Sequence, residues 1–332
     1  MMPFDTGRPE MTAEEFRLLR DFVYGHCGIL VREDMKYVMQ RRLWPRLEAL
    51  GLTDFSAYYR YLRFDAQRRA ELETAIEALT THETYFFREP RQLKAFSEEV
   101  LPQLERRNAR TRRLRIWSAG CSSGEEAYTV AMLLKDSGRF EGWDVEVHGT
   151  DISRRVLAAA RQGEYGPSAL RATPPDKVAR YFVHVGPNRV RVRDDIRAWV
   201  SFGHHNLQEP DSALLISRPD VVFCRNVMIY FDTPARQRVL RLIYDKMVPG
   251  GYLLLGHSEN LINLSADFEL VHLRSDLVYR KPEASAGEVT RERPGAREGA
   301  GGGRLGPQPA AVDGSARVLA GREGGGHGVR RQ

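Results

Sequence analysis

The sequence predicts an α/β domain built on a parallel sheet and carrying a small antiparallel β insertion. An all-helical domain precedes it. Three observations lead there. Residues 12–80 carry helical periods and no strand pattern. From about residue 114, short β-rich runs alternate with helical ones, the pattern of a parallel sheet covered on both faces. Between about 180 and 205 closely spaced short strands around Gly186-Pro187-Asn188 break that rhythm.

The helical part opens at Thr12, which has capping-box spacing to Glu15. Phe16, Leu19, Val23 and Cys27 then mark one face at helical period. A second helix runs from about Asp34 to Leu50, with Leu43, Leu47 and Leu50 on one side and Gly51 as its stop. Pro45 lies inside it and predicts a kink or break near Arg41. This helix carries Lys36, Arg41, Arg42 and Arg46. A third helix starts at Thr53, with Phe55, Tyr58, Tyr59 and Leu62. A fourth covers about Ala66 to Leu79, with Leu72, Ala75, Ile76 and Leu79 inward. The bundle spans 12–80, and a connecting segment over 81–113 leads into the α/β domain, 114–281.

In that domain "LRIWSAG", "VEVHGTDI", "DVVFCRN" and "GYLLLGHSE" read as strands. The helices between them start at about Glu125, Ser153 and Thr233. "FELVHL" and "DLVYRK" read as a hairpin closing the sheet edge. Residues 285–332 contain no Phe, Tyr or Trp and are rich in Gly, Ala, Arg and Pro. Such a stretch cannot bury enough apolar surface to offset its ordering entropy, so 282–332 is expected to be a disordered tail.

Composition excludes several classes. Of the 332 residues, 42% are hydrophobic and 28% charged, the balance of an ordinary soluble protein. A net charge of +6 favours acidic partners without identifying nucleic acid, which is not expected as a partner. Cys27, Cys121 and Cys224 are far apart and form no CxxC, which argues against a structural zinc and fits a reducing compartment. No metal is expected. The first residues lack a signal pattern and no apolar run reaches membrane-spanning length, so a cytoplasmic protein is expected.

The chemistry starts at "SAGCSSGEE" (118–126), a glycine-containing turn between the first strand and its helix, where such folds bind nucleotides. Gly120 and Gly124 permit close approach to the backbone. The spacing is neither GxGxxG nor a phosphate loop, so no pyrophosphate is expected. Asp151 ends the second strand, 27 residues after Gly124, and is placed to accept both ribose hydroxyls of an adenosine. The alternative is that it caps the next helix. Glu125 and Glu126, at the helix N-terminus, make an acidic rim that attracts a cation. An adenosine carrying an amino group and a sulfonium is S-adenosylmethionine. Tyr85, Phe86, Phe87 and Tyr230 are aromatic faces available to such a cation. Arg225 and Asn226 emerge at the end of "VVFCRN", where open α/β sheets place their ligands.

With "TYFFRE", "WSAGCSSGEE", "FCRNVMIYFD" and "GHSEN" in that order, residues 12–280 resemble the chemotaxis receptor methyltransferases of the CheR type. The resemblance implies a class I S-adenosylmethionine-dependent methyltransferase (Rossmann-like) fold and a receptor-docking bundle over 12–80. It implies methyl transfer to glutamate side chains on the cytoplasmic helices of chemoreceptors, giving methyl esters and S-adenosyl-L-homocysteine. It places Thr84 and Arg88 near the methionine end of the cofactor. Glu126 matches the acid that holds the cofactor's amino acid part, with Glu125 beside it, and Asp151 matches the ribose acid. Asn206 and Leu207 match an adenine-side pair, Asn226 and Val227 a second cofactor contact, and Tyr230 the tyrosine near the transferred methyl. Arg88 and Tyr230 are the expected catalytic residues.

Two departures stand out. The family's "TTN" pattern reads here Thr80-Thr81-His82, so His82 is expected to replace an asparagine cofactor contact. The turn "VGPNRV" is short, so no receptor-peptide tether is expected. The basic second helix is the expected docking face, and the protein is expected to act as a monomer. Rival readings are an amine methyltransferase and a non-catalytic cofactor-binding module. The first lacks its usual Asn/Asp-Pro-Pro-aromatic turn, since Asn226-Val227-Met228-Ile229 stands there.

Overall fold

The computed structural model describes residues 9–209 and 218–283. The tail expected over 282–332 lies, from residue 284 on, outside the described residues.

Four helices form the N-terminal bundle. α1 (Ala13–Cys27) opens on the expected capping box, in which Thr12 and Glu15 satisfy each other's N–H groups. It stops at Gly28, whose φ of 71° no β-carbon favours. After one 3-10 turn, α2 (Lys36–Leu50) runs through Pro45 without the break that is one of the two expected outcomes. Met39, Leu43 and Leu47 bury one face of α2 in the bundle. Pro45 and Arg41 both stand on the exposed face of the helix. α3 (Phe55–Phe64) is capped by Asp54, and α4 (Arg68–Leu79) closes the bundle.

Most of the segment expected to be a connector is helical. α5 (Pro90–Ala95) passes through a π turn at Phe96–Val100 into α6 (Leu101–Asn108). The α/β part then runs β1 (Arg113–Ala119), α7 (Glu125–Ser137), β2 (Asp144–Asp151), α8 (Arg154–Gln162), β3 (Glu164–Tyr165), α9 (Pro175–Tyr181), β4 (Phe182–Gly186), β5 (Arg189–Val192), α10 (Asp194–Arg197) and β6 (Val200–His204). It ends with β7 (Val221–Cys224), α11 (Thr233–Lys246), β8 (Tyr252–Leu255), β9 (Glu269–His272) and β10 (Leu277–Arg280).

The main sheet has the order β6-β2-β1-β7-β8-β10-β9. β6, β2, β1, β7 and β8 are parallel, and the antiparallel β9–β10 hairpin closes one edge as expected. Only part of the 180–205 region is an insertion. β4 and β5 form its hairpin and pair with the two-residue β3 to make a separate small sheet. β6, expected to belong there too, instead pairs with β2 as an edge strand of the main sheet. Its residues are half-buried, so hydrophobicity did not separate it from the hairpin.

β7 shows why the central strands look continuously apolar. Val221 and Phe223 enter the core on one face of the sheet, with Ile116 and Leu254. Val222 and Cys224 enter the core on the other, with Trp117, Leu253 and α11. A strand covered on both faces has no polar side. The strand order, not the strand direction, reverses at β1: β2 and β6 lie to one side of it, β7 and β8 to the other. The loops leaving β1 and β7 therefore run to opposite sides and leave a crevice at the C-terminal ends of the strands, the usual ligand position in open α/β sheets.

The bundle is tied to that end of the sheet. Ile29 bridges Phe231, Leu30 N–H donates to the Tyr230 carbonyl (3.0 Å), and Tyr24 donates to Asp232 (2.8 Å).

Candidate functional site

A cleft of about 240 Å³ opens at the crevice between β1 and β7. Four segments wall it: the Thr80–Arg88 strip after α4, the β1–α7 loop, the ends of β2 and β6, and the turn after β7. Cys27 and Ile29 of the bundle complete it. Two wall residues hold left-handed backbone without being glycine, Ser122 in the first loop and Asn226 after β7, and Phe87 and Glu89 do so just behind the wall. Such strain, of order 1–3 kcal/mol each, persists where surrounding structure fixes a site.

The floor is bare backbone. Gly120 has φ +77°, and a β-carbon there would lie 2.5 Å from Val227 Cγ2. The β1 loop and the β7 turn can therefore pack in direct contact only because Gly120 has no side chain.

Asp151 is buried at the end of β2 and accepts the Ser122 N–H and the Ser153 N–H, both at 2.9 Å. Capping of α8 falls to Ser153, which accepts from Val156 N–H. Asp151 therefore orders the loop and still has oxygen lone pairs toward the cleft. Burial pushes its carboxyl above the usual range, and the N–H groups of Ser153 and Ser122 oppose that.

The paired acids separate. Successive helix residues point about 100° apart, so only one of them can face the cleft. Glu126 lines it and accepts from Ser118 Oγ at 2.6 Å. Glu125, also expected in the pocket, is not among the lining residues. It is buried, with Ser123 Oγ donating to it at 2.8 Å. Burial raises both carboxyls, and Arg225 pulls that of Glu126 back.

Arg225, which the sequence placed at the ligand end of its strand without a specific contact, has a side chain 2% exposed and lines the cleft. It pairs with Glu89 (3.2 Å) and Glu126 (3.5 Å) and donates to the Arg88 carbonyl at 2.6 Å. The signal was its position at the end of an apolar strand, where a charge has no bland explanation.

His82 lines the cleft, with Nε2 2.7 Å from Thr80 Oγ1. Burial lowers its pKa against the attraction of Asp151, which favours a neutral ring near pH 7. Thr84, Arg88, Leu207, Val227 and Tyr230 also line the cleft. Arg88 donates to the Glu83 carbonyl at 3.0 Å, while Glu83 pairs with Arg171 and Glu89 with Arg225. Asn206 lines it too, but its amide is engaged elsewhere. Nδ2 donates to the His26 carbonyl at 2.8 Å, and Oδ1 accepts the Gln208 N–H. It joins bundle to sheet, and Leu207 beside it presents side-chain surface.

The expected aromatic faces are not all there. Tyr85 and Tyr230 line the cleft, but Phe86 and Phe87 are buried in the core behind it. The expected docking face also shrinks. Arg46 pairs with buried Glu71, Arg42 donates to the carbonyls of Leu79 and Thr80, and Lys36 donates to the Met11 carbonyl. Arg41 alone of the four residues is exposed.

Two acids, a neutral imidazole and a bare backbone turn suit a ligand with a ribose, an α-amino group and a positive centre. Residues 14–80 match the family model "CheR methyltransferase, all-alpha domain", and residues 82–277 match "CheR methyltransferase, SAM binding domain". A chemotaxis protein methyltransferase of Salmonella typhimurium is 37% identical over 278 residues, covering 82% of this chain and 92% of the relative. Chemotaxis protein methyltransferase 2 of Vibrio cholerae is 36% identical over 273 residues (82% and 94%). Chemotaxis protein methyltransferase 1 of Pseudomonas aeruginosa is 36% identical over 272 residues (80% and 97%). The chain belongs to the CheR methyltransferase family, whose second domain binds S-adenosylmethionine.

Proposed function

We propose that this protein methylates glutamate side chains on the cytoplasmic helices of chemoreceptors, the substrate class its chemotaxis relatives suggest. The observation that carries the reading is the cleft itself: Asp151, Glu126, His82, Arg88 and Tyr230 converge at the switch point of a sheet that matches a methyltransferase family.

S-adenosylmethionine, when bound, supplies a methyl group on a sulfonium, which a carboxylate oxygen takes in one displacement as S-adenosylhomocysteine leaves. The protein's residues need to orient rather than to deprotonate. A glutamate has a reference pKa of about 4.3 and arrives ionised near pH 7. Asp151 would accept the ribose hydroxyls and Glu126 would hold the amino group, with Thr84, Asn226 and Val227 along the same walls. His82, neutral, offers one donor or acceptor where the family pattern has an amide. Asn206 contributes by fixing the Leu207 wall. Arg88 has one guanidinium nitrogen held by the Glu83 carbonyl, which aims the rest of the group at an incoming carboxylate. Tyr230, its carbonyl held by Leu30, borders the same mouth. Orientation and exclusion of water account for the rate.

Docking is narrower than a whole basic helix. Arg42 and Arg46 hold the bundle together, so the exposed strip of α2 at Tyr37 and Arg41 is the part that can meet an acidic receptor helix. The two-residue turn between β4 and β5 leaves no long loop to grip a tether peptide.

The test is transfer of labelled methyl from S-adenosylmethionine to receptor cytoplasmic fragments, followed by alkaline treatment. Release of the label as methanol is expected, as for a carboxyl ester. A base-stable product would overturn the glutamate assignment. In the same assay Arg41→Glu is expected to raise KM for the receptor several-fold at unchanged cofactor affinity, and an unchanged receptor KM would remove α2 from docking.

A further inference from the structure

The stretch "GHSEN" (256–260) follows β8 and includes Glu259, a residue with no part in the chemistry described so far. Its carboxylate accepts four main-chain N–H groups. Oε2 takes those of Asn226 (2.8 Å) and Gly256 (2.8 Å), and Oε1 takes those of Val227 (3.0 Å) and Ile229 (3.2 Å). Three of the four belong to the turn after β7.

That turn leaves its strand abruptly. Asn226 sits at φ 58°, and a 3-10 turn follows at Met228–Tyr230. The N–H groups at the start of such a turn have no acceptor within it. Glu259 supplies one from outside, across 30 to 33 residues of sequence. Gly256 makes the approach possible: a β-carbon there would lie 2.8 Å from Asn226 N and from Glu259 Oε2. On its other side the turn presents Asn226, Val227 and Tyr230 to the cleft, and Val227 is pressed against the bare Gly120.

We propose that Glu259 is a positioning residue for methyl transfer: its four hydrogen bonds cap the Asn226–Tyr230 turn from behind and set where Asn226, Val227 and Tyr230 stand in the cleft. The proposal rests on reading the cleft as the S-adenosylmethionine site. It identifies a function for the carboxylate that glutamine cannot reproduce. A glutamine has one acceptor oxygen, and its NH2 would face two of the N–H donors. Aspartate keeps both acceptors but is one methylene short, so it can serve only part of the set.

The experiment is calorimetric binding of S-adenosylhomocysteine to wild type, Glu259→Gln, Glu259→Asp and Asp151→Asn in the full chain, with initial-rate kinetics on a methyl-accepting receptor fragment. Folded fraction is checked by far-UV circular dichroism. Glu259→Gln is expected to weaken binding at least tenfold, raise KM for S-adenosylmethionine and lower kcat, with Glu259→Asp in between. If Glu259→Gln does not fold, Glu259→Asp decides alone. A threefold or greater loss of affinity supports the proposal. Unchanged affinity and KM in a folded Glu259 variant, with only a lowered melting temperature, overturn it, since that is what a merely structural carboxylate gives. Asp151→Asn separates the two readings. If it loses binding while the Glu259 variants keep theirs, only the Glu259 role fails. If it binds like wild type, the reading of the cleft falls, and the Glu259 role with it.

Discussion

Arg225 shows how one buried side chain can organise several functional groups. Its guanidinium stands between Glu89 and Glu126 and holds the carbonyl of Arg88, the residue proposed to orient the substrate. A planar fork with five donors does this, and a lysine, which presents a point charge, does not. The consequence for Glu126 has a definite sign. Burial raises its pKa and the Arg225 cation opposes that rise, so removing the cation raises it further. The ionised form then appears only at higher pH. Arg225→Met is therefore expected to shift the acid limb of S-adenosylhomocysteine binding to higher pH and to weaken binding at pH 7 by about tenfold, roughly 1.4 kcal/mol. Titration calorimetry between pH 5 and 9 reads both. An acid limb that stays where wild type has it would mean that Glu126 does not hold the amino group. Leaving the two acids without their cation is also expected to cost about 3–5 kcal/mol of stability.

At the scale of elements, the strip from Thr80 to Glu89 faces two ways. Phe86 turns into the core, edge-on to Tyr165 at 4.8 Å and Phe182 at 5.0 Å, and its N–H donates to the Ala169 carbonyl. Tyr85, one residue away, lies at the cleft with Arg171 over its ring at 3.8 Å and Arg88 at 5.6 Å. Phe86→Ala is expected to destabilise the protein by about 3–5 kcal/mol, the usual cost of emptying a buried aromatic site. Tyr85→Ala removes exposed cation–π contacts and is expected to cost about 1 kcal/mol or less. Urea unfolding of the two variants measures the difference, and equal losses would contradict the two-faced strip. This division was not legible in the sequence, because three consecutive aromatics give no periodicity and the partners of Tyr85 and Phe86 come from the β3–β4 region, roughly 80 to 100 residues on. Elements whose own pattern decides them were legible: the Thr12 capping box, the apolar β7 strand and the closing hairpin. So were Asp151 and Glu126, fixed by where their strand and helix begin and end. What could not be read depended on geometry between distant segments. Glu125 and Glu126 look equivalent until a helix turns them apart, β6 resembles its neighbours in the insertion, and Arg42 and Arg46 look like free surface until α4 is packed beside them.

The molecule as a whole is joined at the cleft. Apolar packing alone does not hold the bundle to the sheet: Asn206 bonds His26, Leu30 bonds Tyr230, and Tyr24 bonds Asp232, all in or beside the segments that frame the ligand site. His205 sits at the centre of this junction. It is buried, its N–H donates to the Asp151 carbonyl, and its ring lies 6.0 Å from that of Trp117. Burial first, then the neighbouring His204, Lys246 and His148, push its pKa down to about 4, and Glu209 opposes them. The unfolded chain returns it to about 6.5. Between those values the unfolded state binds a proton that the native state refuses, so stability is complete above about pH 6.5 and is lost as pH falls toward 4. From pH 7 to pH 5 the loss due to this one ring is about 2 kcal/mol. His205→Gln cannot titrate and is expected to lose that much less over the same interval, even if it is less stable at pH 7. Urea midpoints at the two pH values, measured for both proteins, give the difference directly. Parallel pH dependence in the two would show that the junction accepts a charged His205.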